Sequence, residues 1–187
     1  HLPAGSGVIS ATRGNHGQSL AFAARRFGLS CTIVVPLGNS GEKNAAMRAL
    51  GAELIEFGED FDAAKAHAIE LQHARRLTYV ASFQADLVAG VATYALEFLR
   101  AFPALDVVYV PIGLGSGICG MISARDALGL KTEVVGVVSD RFDGYARAFE
   151  TGQIRDTGAA FSFADGMAVR VADPNALAVI RSGAARV

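Results

Sequence analysis

Short apolar runs alternate with amphipathic stretches along the first half of the chain, and the runs predict strands. These strands are expected at residues 7–11, 31–35, 53–57 and 78–80. In the first helix between them, apolar residues recur at Leu20, Ala23, Ala24 and Phe27, and Gly28 is typical of the position after a helix. The repeated strand–helix order predicts a parallel sheet with helices on both faces and right-handed crossovers.

The second half of the chain repeats this alternation with longer apolar runs. Residues 107–112 and 133–138 predict two buried strands. Helices are expected at about 88–102, between these two strands up to residue 128, at 145–150 and at 174–181. We therefore predict an α/β fold of two parallel three-layer units, divided into residues 1–86 and residues 87–187.

Composition narrows the class of protein. Apolar residues make up 51% of the chain, which is ample for a hydrophobic core, and the formal net charge is −1. That charge gives no electrostatic case for binding nucleic acid or a membrane surface. Cys31 and Cys119 lie far apart in apolar runs without a CxxC pair, and no metal-binding motif is present. Buried reduced thiols of this kind are typical of a cytoplasmic protein.

Residues 12–18, with the sequence TRGNHGQ, join the first predicted strand to the first helix, and we call them the asparagine loop. Ligands collect at such junctions in open α/β sheets because backbone N–H groups and the helix dipole point into the crevice. Asn15 adds a donor and an acceptor, and His16 adds a titratable ring. The alternative is a tight turn in which Asn15 caps the helix.

A second loop, which we call the glycine-rich loop, consists of Gly113, Leu114, Gly115, Ser116 and Gly117. It follows a buried strand and opens a helix, so its N–H groups form a concave nest suited to a phosphate. The Ser116 hydroxyl is a further donor. The alternative is an ordinary turn between strand and helix.

The glycine-rich loop also fits a rival function. Gly115, Gly117 and Gly120 match the G-x-G-x-x-G fingerprint of dinucleotide-binding domains, and Asp140 follows the next strand, where a ribose-binding acid is expected. An NAD(P)-binding domain of an oxidoreductase is therefore the alternative hypothesis. It ranks second because it leaves the asparagine loop unexplained.

The sequence RGNHGQSLA at residues 13–21 resembles the asparagine loop of fold-type II pyridoxal-phosphate enzymes, in particular the threonine/serine dehydratases. The resemblance implies the tryptophan-synthase-β-like fold, with this chain an internal part that is incomplete at both ends. It also implies pyridoxal phosphate as cofactor, a small amino-acid substrate and a homo-oligomer, dimer or tetramer. The reaction implied is the dehydration of L-threonine or L-serine to a 2-oxoacid and ammonia.

The same resemblance assigns roles to particular residues. Asn15 would bind the phenolic oxygen of the cofactor, and the glycine-rich loop would bind its phosphate. Gly166, in a segment that resembles the family's Ala-Asp-Gly motif, would lie beside the cofactor ring. The substrate carboxylate would bind to the asparagine loop at Thr12, Arg13, Gly14 and His16. Both loops are then expected at strand carboxyl ends that face one crevice.

Two departures from the family pattern stand out. Arg13 occupies a position where family members often carry serine, which in amino-acid racemases is the second acid/base, so Arg13 counts against racemisation. The lysines of the chain, Lys43, Lys65 and Lys131, do not lie in the family's Schiff-base motif. The catalytic lysine is therefore expected upstream, and the 187-residue chain alone is expected to be inactive. A non-catalytic homologue is a third hypothesis.

Overall fold

The computed structural model describes residues 2, 6–158 and 162–187, which form two compact units, residues 1–82 and 83–187. Each unit has its own sheet, and all strand pairs between the named strands are parallel. The predicted parallel α/β fold is therefore confirmed. The division into residues 1–86, with the asparagine loop, and residues 87–187, with the glycine-rich loop, stays a prediction. Among the described residues, no helix has the length and apolar character needed to cross a membrane.

The described residues of the first unit form a four-stranded parallel sheet and three helices. Its elements are β1 (Gly7–Ala11), α1 (Asn15–Arg26), β2 (Ser30–Val35), α2 (Gly41–Ala49), β3 (Glu53–Glu56), α3 (Phe61–Arg75) and β4 (Thr78–Tyr79). The strand order is β3-β2-β1-β4, so β3 lies at an edge. The carboxyl ends of β1 and β2 align, with Ala11 opposite Val34.

Two layers of apolar side chains cover the two faces of this sheet. On one face, Val8 and Ile33 pack with Ala21 and Ala24 of α1 and with Met47 of α2. The other layer joins Ile9, Ala11 and Val34 to Ala64 and Ala68 of α3. Because neighbouring strand residues point to opposite faces, this alternation produces the predicted three layers in the first unit.

Helix α1 buries only part of the apolar face that the sequence predicts. Gly17, Ala21 and Ala24 are its buried residues, whereas Phe27 is 73% exposed and forms the C-cap. Phe27, the last residue of the predicted apolar repeat, therefore does not join the core. The physical reason is close packing: a Cβ atom on Gly17 would lie 2.5 Å from Met47 Sδ, so only small residues fit along this contact.

The second unit begins with a long helix and contains a pair of parallel strands. Its elements are α4 (Ala85–Ala101), β5 (Val107–Pro111), α5 (Ser116–Ala127), β6 (Glu133–Val137), α6 (Gly144–Thr151), a 3₁₀ turn (Asp165–Met167) and α7 (Pro174–Gly183). Strands β5 and β6 pair in register from Val107 opposite Glu133 to Pro111 opposite Val137. The end of the chain lies along β6, where Ala185 N–H donates to Val134 O at 2.8 Å.

One hydrophobic core holds the second unit together. Ile118 and Ile122 of α5 are buried in it with Leu99 of α4 and Ile180 of α7. At Gly120, α5 comes so close to α4 that a Cβ atom would lie 3.0 Å from the backbone nitrogen of Ala92. The glycine-rich loop therefore opens a helix that is packed on several sides.

The close contact at Gly17 gives a first test of this fold. A Gly17→Ala methyl would lie 2.5 Å from both Met47 Sδ and Thr12 Cγ2, and such overpacking costs about 1–3 kcal/mol. We expect urea unfolding to show a loss of that size. The matched control is Gly41→Ala, where no atom lies within 4 Å of the new methyl, and it should leave the free energy of unfolding nearly unchanged. Equal behaviour of the two variants would contradict the packing described for α1.

Candidate functional site

The asparagine loop leaves β1 at its carboxyl end and starts α1 directly. Gly14 is the N-cap residue, and Asn15 is the first residue of the helix. The alternative in which Asn15 acts as a cap is therefore wrong. Asn15 is exposed, and within the described part of the chain its side chain makes no hydrogen bond. Its amide is thus available to a ligand at the edge of the first sheet.

Two hydrogen bonds made by Thr12 fix the backbone of the asparagine loop. Thr12 is buried, and its Oγ1 accepts a hydrogen bond from Gly14 N–H at 3.0 Å. The N–H of Thr12 donates to Val34 O at 3.1 Å, which ties the loop to β2. The Thr12 side chain therefore stabilises the shape of the loop. The contact of Thr12 with a substrate stays a prediction.

His16 points into the protein. Its Nε2 lies 3.0 Å from Ser10 Oγ and 3.4 Å from Val80 O. Because Ser10 Oγ donates its single proton to Val80 O at 2.6 Å, His16 Nε2 must be the donor toward Ser10. Burial is the main influence on the His16 pKa and lowers it, while the Val80 carbonyl acts in the opposite direction. The neutral ring therefore joins α1 to β1 and to the residue after β4.

Two positively charged side chains lie near the start of α1. Arg13 is exposed, and the side chain of Lys43 lies over Gly14, where a Cβ atom would be 3.0 Å from Lys43 Cδ and 3.6 Å from Nζ. The first turn of α1 holds no acidic residue. Together with the helix dipole, these charges favour an anionic group such as a carboxylate.

The glycine-rich loop of the second unit, like the asparagine loop of the first, joins the carboxyl end of a strand to the start of a helix. It follows β5, and α5 begins at Ser116 with Gly115 as N-cap. Gly115 has a φ of +102°, a backbone conformation that glycine adopts readily and other residues rarely do. The first turn of α5 also holds no acidic residue. The loop therefore fits a phosphate group, whose oxygens accept hydrogen bonds from backbone N–H groups.

Gly166 lies directly beside the glycine-rich loop. A Cβ atom on Gly113 would lie 2.7 Å from the carbonyl oxygen of Gly166, so the 3₁₀ turn passes against the start of the loop. The structure thus brings together Gly113 and Gly166, which the sequence predicts as cofactor-binding residues. Whether the two loops face one crevice stays a prediction.

Three polar groups that the sequence analysis missed hold the two loops. Ser10 Oγ and the Val80 carbonyl accept hydrogen bonds from His16 of the asparagine loop. Tyr145 of α6 donates its hydroxyl proton to Leu114 O in the glycine-rich loop at 2.8 Å. No local pattern marks Val80 or Tyr145 as a partner, because both are distant in sequence from the loops that they support.

Cys119 and Asp140 lie outside the two loops. Cys119, in the first half of α5, is buried, and burial raises the pKa of its thiol to about 12. The thiol is therefore protonated and not an activated nucleophile. Asp140 is exposed after the end of β6 and borders a cavity of about 480 Å³, together with Phe163 and Met167.

Parallel α/β units whose glycine loops open helices define a class of proteins that bind phosphate-bearing ligands. Residues 3–187 match the family described as pyridoxal-phosphate dependent enzyme, and the chain belongs to that family. The predicted family, the fold-type II class and pyridoxal phosphate as the family's cofactor are therefore confirmed. The alternative of an NAD(P)-binding domain finds no support, nor does that of a non-catalytic homologue.

Curated relatives agree with this assignment. The chain is 36% identical over 166 residues to the L-threonine dehydratase biosynthetic IlvA of Pasteurella multocida, covering 88% of this chain and 32% of that protein. It is 34% identical over 176 residues to the L-threonine ammonia-lyase of Geobacter sulfurreducens, covering 94% of this chain and 44% of that protein.

Among solved structures, the processed form of threonine deaminase isoform 2 from Solanum lycopersicum matches with a TM-score of 0.88 and 29% identity, over 96% of this chain and 53% of that one. The chain thus spans roughly a third to a half of the length of the proteins that it matches.

The buried His16 predicts a specific pH dependence of stability. Its folded-state pKa is lowered below the unfolded value, so the unfolded state binds more protons as the medium is acidified. The stability contributed by the neutral ring is complete above the unfolded pKa of about 6.5 and is lost as pH falls from there through the folded value. His16→Gln, which keeps a donor but does not titrate, should therefore lose less free energy of unfolding between about pH 7.5 and pH 5 than wild type.

Urea titrations at several pH values measure this difference. His73→Gln, on the exposed side of α3, is the matched control and should keep the wild-type pH dependence. A His16→Gln variant with the same pH dependence as wild type would contradict the buried, neutral state of His16.

Proposed function

We propose that the protein to which this chain belongs is a pyridoxal-phosphate dependent ammonia-lyase that dehydrates L-threonine, L-serine or both to a 2-oxoacid and ammonia. The observation that carries the proposal is the glycine-rich loop. It leads into a helix whose first turn holds no acidic residue, and Gly166 packs against Gly113 of the loop. The names of the relatives, threonine dehydratase and threonine ammonia-lyase, support the substrate class.

Each loop has a defined part in binding the cofactor. We assign the phosphate to the backbone N–H groups of residues 113–117, at the positive end of the α5 dipole. Ser116 and Leu114 differ from an all-glycine loop, but backbone groups make these contacts and are present at both residues. We assign the phenolic oxygen of the cofactor to the side-chain amide of Asn15, whose exposure and lack of a protein partner within the described residues support this role.

When bound, pyridoxal phosphate supplies an electron sink for the amino acid's α-carbon, and the protein supplies orientation. We assign the substrate carboxylate to the backbone at Thr12, Arg13, Gly14 and His16, where the α1 dipole and the Lys43 and Arg13 charges favour an anion. Arg13 stands where racemases of the family carry an acid/base serine. Because guanidinium does not release a proton in proteins, the loop favours elimination over racemisation.

The rest of the proposal follows from the family resemblance. We expect the lysine that binds the cofactor covalently to lie outside these 187 residues, since Lys43, Lys65 and Lys131 are outside the family motif. We also expect a cytoplasmic homo-oligomer, a dimer or a tetramer. The buried, unpaired thiols of Cys31 and Cys119 are consistent with a reducing compartment.

An assay of amino-acid substrates tests the proposed function. The full-length protein, supplied with pyridoxal phosphate, should release a 2-oxoacid and ammonia from L-threonine or L-serine, followed by a coupled oxoacid dehydrogenase. Chiral chromatography of the remaining amino acid should show that its configuration is retained. Racemisation without oxoacid release, or no reaction with either amino acid, would contradict the proposal.

Two single substitutions separate the cofactor hypothesis from the dinucleotide hypothesis. Asn15→Ala should perturb the absorbance spectrum of the bound cofactor and weaken binding or rate by about one to two decades, since a hydrogen bond to a charged group contributes about 1.5–3 kcal/mol. Asp140→Ala should change neither, because pyridoxal phosphate contains no ribose. Both variants must keep the wild-type melting temperature. The reverse pattern, with loss only in Asp140→Ala, would contradict the cofactor assignment.

A further inference from the structure

We propose that Tyr145 is a positioning residue for the cofactor phosphate: its buried hydroxyl holds the Leu114 carbonyl and thereby turns the Gly115 N–H toward the phosphate. This inference rests on the proposed function, in which residues 113–117 bind the phosphate of pyridoxal phosphate. It adds a residue from outside the loop, contributed by helix α6.

The Tyr145 hydroxyl joins two backbone segments. It donates to Leu114 O at 2.8 Å and accepts from Asp173 N–H at 3.0 Å. Asp173 is the N-cap of α7, and its side chain is held by the N–H groups of Asn175 and Ala176. Tyr145, which donates to the glycine-rich loop, is therefore itself held by the start of α7.

Peptide geometry carries this constraint to the ligand side of the loop. The chain has no cis peptide bond among its described residues, so the Leu114 carbonyl and the Gly115 N–H belong to one planar trans peptide and point in opposite directions. Because Tyr145 holds the carbonyl on the core side, the Gly115 N–H points away from the core. Without the hydroxyl, this peptide has one fewer contact that fixes its orientation.

The surroundings of Gly115 allow little movement toward the core. A Cβ atom on Gly115 would lie 2.7 Å from Ala176 Cβ, 3.2 Å from the Tyr145 hydroxyl oxygen and 3.7 Å from Ile180 Cδ1. Tyr145 is only 3% exposed. Burial, the largest influence, raises the pKa of this phenol, so the hydroxyl keeps the proton that it donates to Leu114.

Binding of two related ligands distinguishes a positioning role from a merely structural one. We would measure, by calorimetry, the affinity of the protein for pyridoxal phosphate and for pyridoxal, which lacks the phosphate. Tyr145→Phe should weaken pyridoxal phosphate about 2- to 12-fold, the range expected for one hydrogen bond, and leave pyridoxal nearly unchanged. A structural defect would weaken both ligands alike.

The matched control is Tyr109→Phe. Tyr109 lies on β5 of the same unit, is 63% exposed, and its hydroxyl accepts from Arg186 rather than contacting the glycine-rich loop. This variant should keep the wild-type ratio of the two affinities. An unchanged ratio in Tyr145→Phe, with wild type preferring pyridoxal phosphate, would overturn the role of Tyr145 alone. A wild-type protein without preference for pyridoxal phosphate would overturn the proposed function, and this inference with it.

A measurement on the wild-type protein tests the same geometry without any substitution. In ¹⁵N-labelled protein, pyridoxal phosphate should shift the Gly115 amide resonance strongly, whereas pyridoxal should shift it little. The ³¹P resonance of the bound phosphate should also differ between wild type and Tyr145→Phe. A Gly115 amide that responds equally to the two ligands would show that its N–H does not face the phosphate, and the inference would fail.

Discussion

Parallel pairing of strands is the constraint on which both loops depend. In a parallel sheet every strand ends at the same edge, and each chain segment that leaves this edge goes on into a helix start. The register from Gly7 opposite Ser30 to Ala11 opposite Val34 fixes that edge in the first unit, and the register of β5 with β6 fixes it in the second. N–H groups and positive helix ends are therefore presented together, before any side chain contributes.

The charge at two of the helix starts also suits an anionic ligand. In the first unit, α2 and α3 carry Glu42 and Asp62 in their first turns, which satisfies their own dipoles. Helix α1, which follows the asparagine loop, carries no acid there, and neither does α5 after the glycine-rich loop. An anionic ligand can take the place that a carboxylate side chain occupies in α2 and α3.

Both loops are held from the core by one buried hydroxyl that donates to a backbone carbonyl. The Ser10 hydroxyl donates to Val80 O and accepts a hydrogen bond from His16 Nε2. The Tyr145 hydroxyl donates to Leu114 O and accepts one from Asp173 N–H. Leaving a buried polar partner unsatisfied costs about 1–3 kcal/mol, so each pair is strongly favoured. A loop that binds its ligand through backbone N–H groups needs such support, because no side chain can move to adjust the contact.

Local sequence patterns were sufficient for the elements and for the loops between them. Alternating apolar runs located β1 to β6, and glycines beside polar residues located the two helix starts, because these signals arise from neighbouring residues. Burial of α1 was predicted less well: Phe27 fits the helical spacing but is exposed, whereas Gly17, which the apolar pattern does not include, makes a close contact with Met47. The roles of His16 and Tyr145 depend on partners distant in sequence, Val80 and Leu114, which no local pattern reveals.

An experimental structure of the protein with pyridoxal phosphate bound is the most direct test of the central claim, that the glycine-rich loop binds the cofactor phosphate. The account predicts phosphate oxygens within about 3.2 Å of backbone nitrogens of residues 113–117, including Gly115, with the Asn15 amide at the phenolic oxygen of the ring. A phosphate bound elsewhere, with residues 113–117 making no contact to it, would contradict the account.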